Sequence, residues 1–271
     1  MTSPRESRQS FLGRRSPFTF TESRVAILGL GGGGSHIVQQ LSHVGFERFV
    51  LCDPDVVEES NLNRLIGATE ADAHQRARKI DVAARVIRGL APRAKVEAFA
   101  SAWQEKADVL RGVDLVFGCL DGYAARQTLE SFTRRYLVPL IDIGMDVHCV
   151  DGEPPSMSGQ VILSMPGEPC MQCLGYLNSV TLTQEATNYG DAGIHPQVVW
   201  ANGVLASTAV GVAVDLLTGW SGRRTALIYL EYDGNTQALV PHKRLKHALA
   251  TCSHYAATDV ALLGDPVFRS V

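Results

Sequence analysis

Asp53, Arg64, Lys79 and Asp121 are the residues of this chain whose types and spacing suit chemistry on a phosphate. Asp53 closes the apolar run RFVLCD, downstream of glycines at 29, 31, 32 and 34. An acid about 20 residues beyond such a turn accepts hydrogen bonds from ribose hydroxyls. The glycines allow a tight turn and let phosphate oxygens approach the free amides at a helix N-terminus, where the dipole favours negative charge. Cations together with a carboxylate able to hold Mg²⁺ are what attack on a nucleoside triphosphate requires, because phosphate charge must be neutralised before an anionic nucleophile approaches. Two other classes of function compete. An NAD(P)-dependent oxidoreductase also uses a glycine turn and a ribose acid, but leaves Arg64 and Lys79 unexplained. A non-catalytic adapter on the same fold has no need of Arg64, Lys79 and Asp121 together.

The elements that must position these residues can be read in order. RVAILGL, from Arg24 to Leu30, is a continuous apolar run of strand length, as expected of a strand buried on both faces. Beyond the glycines, Ile37, Val38, Leu41 and Val44 recur at helical spacing, and RFVLCD is a second strand. A polar loop follows, then a helix with Ile80, Ala83, Ala84 and Ile87 on one face, stopped between Gly89 and Pro92. KVEAFA and VDLVFGC are strands, YAARQTLESFTRRYL is helical and VPLIDIG is a strand again. Strands alternating with helices predict an α/β fold with a mainly parallel, right-handed wound sheet. Ligands of such sheets bind beyond the carboxyl ends of the strands, where Asp53 and Asp121 both fall.

After Asp151 the texture changes. GQVILSM is a strand, PGEPCMQCLG a knuckle, and the stretch from Tyr176 to Pro196 lacks periodicity and reads as a long loop. VVWANGVLASTAVGVAVDLLTGW is apolar nearly all round, a helix buried on several sides with Trp200 and Trp220 as core or dimer contacts. TALIYLEYD and NTQALV, parted by Gly234-Asn235, form an antiparallel hairpin, so the parallel sheet gains an antiparallel C-terminal extension. The organisation expected is an arm at residues 1–20 and a single domain at 21–271, with a nucleotide-binding half at 21–150 and the crossover loop, knuckle and antiparallel half at 151–271.

A net charge of −3 gives no bulk attraction to nucleic acid or anionic lipid. No apolar run is read as approaching the roughly 18 residues of a membrane span. The arginine-rich N-terminus lacks the apolar segment of a secretory signal. A cytoplasmic location with no membrane partner is expected. Six cysteines in that setting are poor evidence for disulfides. Cys52, Cys119 and Cys149 are read as thiols in or beside buried strands and therefore inert. His36 and His43 are packed or solvated helix residues, and the basic stretch HQRARK is a solvated helix face apart from Lys79.

In its motifs the chain resembles the ThiF/MoeB/HesA family, prokaryotic relatives of ubiquitin-activating enzymes. The family pattern of GxGGxG, D-x-D, S-N-L-x-R, a lysine on the next helix and a [CT]-x-D-N strand end is matched by Gly29–Gly34, Asp53-Pro54-Asp55, Ser60-Asn61-Leu62-Asn63-Arg64, Lys79 and Cys119-Leu120-Asp121-Gly122. The arm's R-Q pair is Arg8-Gln9. The resemblance implies a Rossmann-like nucleotide site built from Gly29, Gly31, Gly32, Gly34, Asp53, Asp55, Asn61, Asn63, Arg64, Lys79 and Asp121. Within it Asp53 takes the ribose, Asn61, Asn63, Arg64 and Lys79 the triphosphate of ATP, and Asp121 the Mg²⁺. Arg8 reaches the site of the other subunit of a homodimer. The implied reaction is adenylation of the C-terminal carboxylate of a ubiquitin-like or sulfur-carrier protein, with an acyl-accepting conjugating protein as a further partner. The pattern also resembles members associated with bacterial ubiquitin-like conjugation systems.

Two departures from the pattern stand out. Leu65 replaces the glutamine that commonly follows the motif arginine, which bears on loop packing more than on chemistry. No cysteine lies between Tyr176 and Pro196, where members that go on to a thioester carry one. Cys170 and Cys173 have metal-ligand spacing, and the family commonly binds structural zinc through two such pairs. The second pair here is Cys252 with His254, and His242 or His247 is an alternative fourth ligand.

Overall fold

The computed structural model describes residues 7–149, 152–187, 196–223, 227–248, 252, 254 and 255. Among the described residues, eight strands form one sheet in the order β3-β2-β1-β4-β5-β6-β7-β8. β1 (Arg24–Leu28), β2 (Arg48–Cys52), β3 (Lys95–Phe99), β4 (Leu115–Gly118) and β5 (Leu140–His148) pair in parallel. β6 (Ser156–Ser164), β7 (Ile228–Asp233) and β8 (Ala238–Pro241) continue the sheet antiparallel. The wound, mainly parallel sheet with its antiparallel extension is the fold expected from the alternation of elements.

Side chains alternate across a strand, so β1 serves two cores at once. Val25 and Ile27 face one cluster with Phe49, Phe117 and Ile141, while Ala26 and Leu28 face another with Val116, Phe132 and Leu140. Each such fully buried large side chain contributes roughly 1.5–3 kcal/mol of hydrophobic stabilisation. The first cluster is covered by α2 (Gly32–Val44), α4 (Lys79–Leu90) and α8 (Val199–Thr218), which contribute Ile37 and Leu41, Ile80 and Ile87, and Leu205 and Ala209. The second lies under α5 (Ala107–Leu110), α6 (Tyr123–Arg135) and the knuckle, through Leu110, Leu129 and Met171. α2 ends at Gly45, whose φ of 116° closes the helix in the conformation that glycine adopts without strain. At the N-terminus Ser7–Leu12 is a 3₁₀ turn and α1 (Ser16–Glu22) follows, with Leu12 and Phe20 in the first core. The described part of the arm is thus docked on the domain.

Five expectations need correcting. The crossover stretch contains a helix, α7 (Ser179–Thr187). It has no apolar stripe to betray it and is started by Asn178, whose Oδ1 accepts from the amides of Val180 and Thr181. Residues 188–195 of that stretch lie outside the described ones. The second correction concerns α8, which at 20 residues is long and apolar enough to cross a membrane by length and composition alone, and half of its apolar window is buried inside the fold. Third, Cys149 is exposed, because β5 ends one residue before it. Fourth, Arg76 lies in the turn between α3 (Glu70–His74) and α4, and Arg78 is the residue before α4, so they are loop residues; Arg85 of α4 pairs with Asp72. Trp200 and Trp220 are 54% and 49% exposed, which removes the core alternative for both.

Candidate active site

Beyond the carboxyl ends of β1, β2, β4 and β5 lies a cavity of about 320 Å³. Gly31, Gly32 and Gly33 line it as α2 begins, and Asp53, Asp55, Arg64, Lys79 and Asp121 line it as well. Gly29 lines it too, and together with Gly34 it shapes the turn. A Cβ on Gly29 would lie 2.3 Å from the Cys119 carbonyl oxygen, and one on Gly34 would lie 2.0 Å from that of Gly29. Those distances exclude any side chain, so β1, β4 and the start of α2 close on one another only with glycine at both positions. At Gly32 a Cβ would meet the Asn202 amide at 2.5 Å, so α8 comes down directly on the turn.

Asp53 is buried. Its Oδ2 accepts from Leu30 N at 2.6 Å and its Oδ1 from Asp55 N at 2.8 Å, which fixes the carboxylate against the glycine turn. Burial pushes its pKa up, opposed by the Leu30 amide and by the charge of Lys79. Lys79, the first residue of α4, donates its Nζ to Asp55 Oδ2 at 2.8 Å and its backbone amide to Asp55 O at 3.0 Å. The D-x-D segment and the helix lysine are therefore one unit: Asp53 holds the turn and Asp55 holds the cation.

Arg64 ends a loop packed from beneath. Leu65 sits with Val57 and Val82 in a small separate cluster, so the residue at the glutamine position packs the loop, as expected. Asn61 caps the 3₁₀ turn Glu59–Asn61, its Oδ1 accepting from Glu58 N at 3.1 Å. Ile66 N donates to Ser35 Oγ at 3.0 Å and ties the loop to α2. The Arg64 guanidinium donates to Ser60 O at 2.6 Å and Asn63 Oδ1 at 2.9 Å, both within its own loop. Asn63 Nδ2 donates to Gln197 O at 3.2 Å. Neither Asn61 nor Asn63 lines the cavity, whereas Gln197 does. Asp121 is exposed at the rim, and among the described residues nothing hydrogen-bonds to its carboxylate. Arg8 lies on the N-terminal 3₁₀ turn, exposed and outside the cavity lining.

Sequence reasoning did not single out Arg126, Asn202 or Gln197, which also line the cavity. Arg126 pairs with the buried Asp142 and donates to Ile143 O at 3.0 Å. A carboxylate inside the apolar strand LIDIG was the available signal, because a buried acid is retained with a cationic partner. Cys52 and Cys119 line the same cavity, but burial pushes Cys52 up to about 12 and Cys119 higher still, so neither is a thiolate.

On the second-core side of the sheet, Cys170, Cys173, Cys252 and His254 bring their ligand atoms within 4.8 Å of one another. The two knuckle sulfurs are 3.6 Å apart, and His254 Nδ1 is 3.5 and 3.3 Å from them. Tetrahedral zinc with Zn–S bonds of about 2.3 Å separates its sulfurs by about 3.8 Å, so the donor set and its spacing fit that metal. The alternative ligand His242 is engaged elsewhere, stacked on Tyr229 with its Nδ1 accepting from Arg244 N. His247 is outside the cluster found among the described residues. α6 holds the knuckle: Glu130 Oε1 accepts from Met171 N, and Arg134 donates to the carbonyls of Glu168 and Pro169.

Residues 7–254 match the ThiF family. The chain is 32% identical over 154 residues to the SAMP-activating enzyme E1 of Haloferax volcanii, covering 56% of this chain and 53% of that one. To the molybdopterin-synthase adenylyltransferase of Escherichia coli it is 29% identical over 219 residues, covering 79% and 80%. The chain spans about half the length of several curated relatives it matches, among them a ubiquitin-like modifier-activating enzyme 5 of Oryza sativa, of which it covers 52%. Escherichia coli MccB, solved with ATP, superposes with a TM-score of 0.70 at 18% identity over 89% of this chain and 71% of that one, a likeness of fold.

Proposed function

The chain belongs to the ThiF family, and from that premise we propose that it uses ATP to adenylate the C-terminal carboxylate of a ubiquitin-like or sulfur-carrier protein. The observation that carries this reading is the convergence of Asp53, Arg64, Lys79 and Asp121 on one cavity with the glycine turn. In the reading, Gly31, Gly32 and Asp53 hold the adenosine, and Arg64 and Lys79 meet the phosphates of ATP. A carboxylate oxygen of the carrier attacks the α-phosphorus. A new P–O bond forms, the bond to the β-phosphate oxygen breaks, and pyrophosphate leaves with the electron pair, giving an acyl-adenylate. Asp121 would hold the Mg²⁺, which lowers the phosphate charge that repels the incoming anion. ATP–pyrophosphate exchange dependent on a carrier ending in Gly-Gly tests the proposal. A cytoplasmic location, without nucleic-acid or membrane partners, belongs to the same reading.

The reading includes a homodimer in which Arg8 completes the partner's site, since Arg8 lies outside the cavity of its own chain. Arg8→Ala and Arg64→Ala should each be inactive alone. Mixed after dissociation and reassociation, they should regain about a quarter of wild-type exchange, because half the dimers are mixed and each of those has one intact site. No recovery on mixing would remove Arg8 from the site.

Zinc at Cys170, Cys173, Cys252 and His254 is the second part, supported by the spacing of the donors. Burial, then the charge of Glu130, pushes the Cys170 thiol up, so ionised sulfur there needs a cation. Purified protein should carry about one zinc per chain, and Cys170→Ser with Cys173→Ser should lose it and lower the melting temperature. Metal-free wild type with an unchanged melting temperature would contradict the zinc assignment.

A further inference from the structure

Helix α6 begins without a cap of its own. Its N-cap position is Gly122, which has no side chain to offer and adopts φ 86°, ψ 148°, a region that belongs almost entirely to glycine. The first amides of a helix have no acceptor within it, and losing a cap weakens the first turn. Here the acceptor comes from the crossover segment, 62 residues away. Glu185 of α7 receives Tyr123 N on Oε1 and Ala124 N on Oε2, each at 2.8 Å. Both carboxylate oxygens are used, and their charge faces the positive end of the helix dipole. Gly122 leaves the room for this, because a Cβ there would lie 2.3 Å from Glu185 Oε1. The last position of the strand-end motif Cys119-Leu120-Asp121-Gly122 is thus the one against which Glu185 seats. A second contact reaches the same place from the start of the segment, where the ring of Tyr176 lies 5.6 Å from that of Tyr123. Asp121 stands immediately before Gly122 in this turn.

We propose that Glu185 is a latch that fastens α7 to the turn Asp121–Tyr123, and so ties the crossover segment to the rim of the nucleotide cavity. It is a positioning residue, acting through the turn that carries Asp121, and it rests on the adenylation reading only for the cation given to Asp121. Seating of α7 and occupancy of the cavity are then linked, each favouring the other.

Amide hydrogen exchange on the full chain tests the latch in wild type, Glu185→Ala and Glu185→Gln, without nucleotide and with Mg-ATP. Without nucleotide, Glu185→Ala should speed exchange in α7 and the first turn of α6 by about tenfold, the effect of losing one helix cap. Glu185→Gln, which keeps the size and one acceptor, should show a smaller increase, and β1 and β2 should be unchanged in both. Mg-ATP should slow α7 in wild type and not in Glu185→Ala. Wild-type exchange of α7 in Glu185→Ala would overturn the proposal, and so would equal slowing by Mg-ATP in both proteins. Failure of the adenylation reading would appear separately, as absence of pyrophosphate exchange in wild type, with the latch still decided by the nucleotide-free comparison.

Discussion

Arg64→Ala is expected to lower ATP–pyrophosphate exchange by about 10³-fold or more, the range that an arginine set against a phosphoryl transition state contributes. Stability should fall by only about 1 kcal/mol, the scale of one net hydrogen bond. The two expectations separate because Arg64 does not hold its loop. The loop is packed by Leu65 with Val57 and Val82 and capped by Asn61, while among the described residues the guanidinium bonds only to Ser60 O and Asn63 Oδ1 beside it. Those local bonds aim the fork, and lysine at this position would keep the charge but lose the fork. Steady-state exchange and a thermal melt on the same preparation check both halves. An unfolded variant would mean that Arg64 is structural.

Arg126→Ala should have the larger effect on the fold, destabilising it by about 3–5 kcal/mol, because it leaves Asp142 buried without its cation. Asp142 Oδ2 already lacks a hydrogen-bond partner among the described residues, and the Gln160 amide near the carboxylate is neutral and cannot replace the lost charge. Burial raises the pKa of Asp142 even with Arg126 beside it. An acid raised in this way binds more protons folded than unfolded between its two pKa values, so its contribution to stability falls as pH rises through that window. Removing the cation pushes the folded value up further. The variant's deficit should therefore be smaller near about pH 5 than near about pH 8, by the same linkage. Denaturant melts at the two pH values measure this, and Arg126→Met combined with Asp142→Asn should recover much of the loss. A deficit that grows towards acid pH would contradict the assignment of the cost to an ionised Asp142.

The two predictions differ in how far sequence alone led to them. A parallel strand buried on both faces writes itself as an unbroken apolar run, and that is why β1, β2 and β4 were legible. Gly29 and Gly34 were legible because a turn this tight admits nothing larger at either, whereas a Cβ on Gly31 would meet nothing within 4 Å. Arg64, Lys79 and Asp121 are far apart in the chain, and only the rule that ligands bind beyond the strand ends, together with the motif pattern, brought them to one place. The pairing of Arg126 with Asp142 depends on how α6 lies across β5, which no local periodicity encodes. α7 was missed because it is started by Asn178 and held to α6 by Glu185, and not by an apolar face. α8 reads alike as a core helix or a span, and it is the packing against α2, β5 and β6 that buries half of it. Cys149 was misjudged by the length of β5, which stops one residue short.

In the proposed reaction this cavity transfers adenylate to a protein carboxylate. The most direct measurement is exchange of labelled pyrophosphate into ATP by the purified full chain, with a ubiquitin-like or sulfur-carrier protein ending in Gly-Gly and with the same carrier shortened by those two residues. Exchange is expected with the intact carrier, none with the shortened one, and it should be lost in Arg64→Ala. Exchange that needs no carrier carboxylate, or that persists in Arg64→Ala, would contradict the proposed reaction.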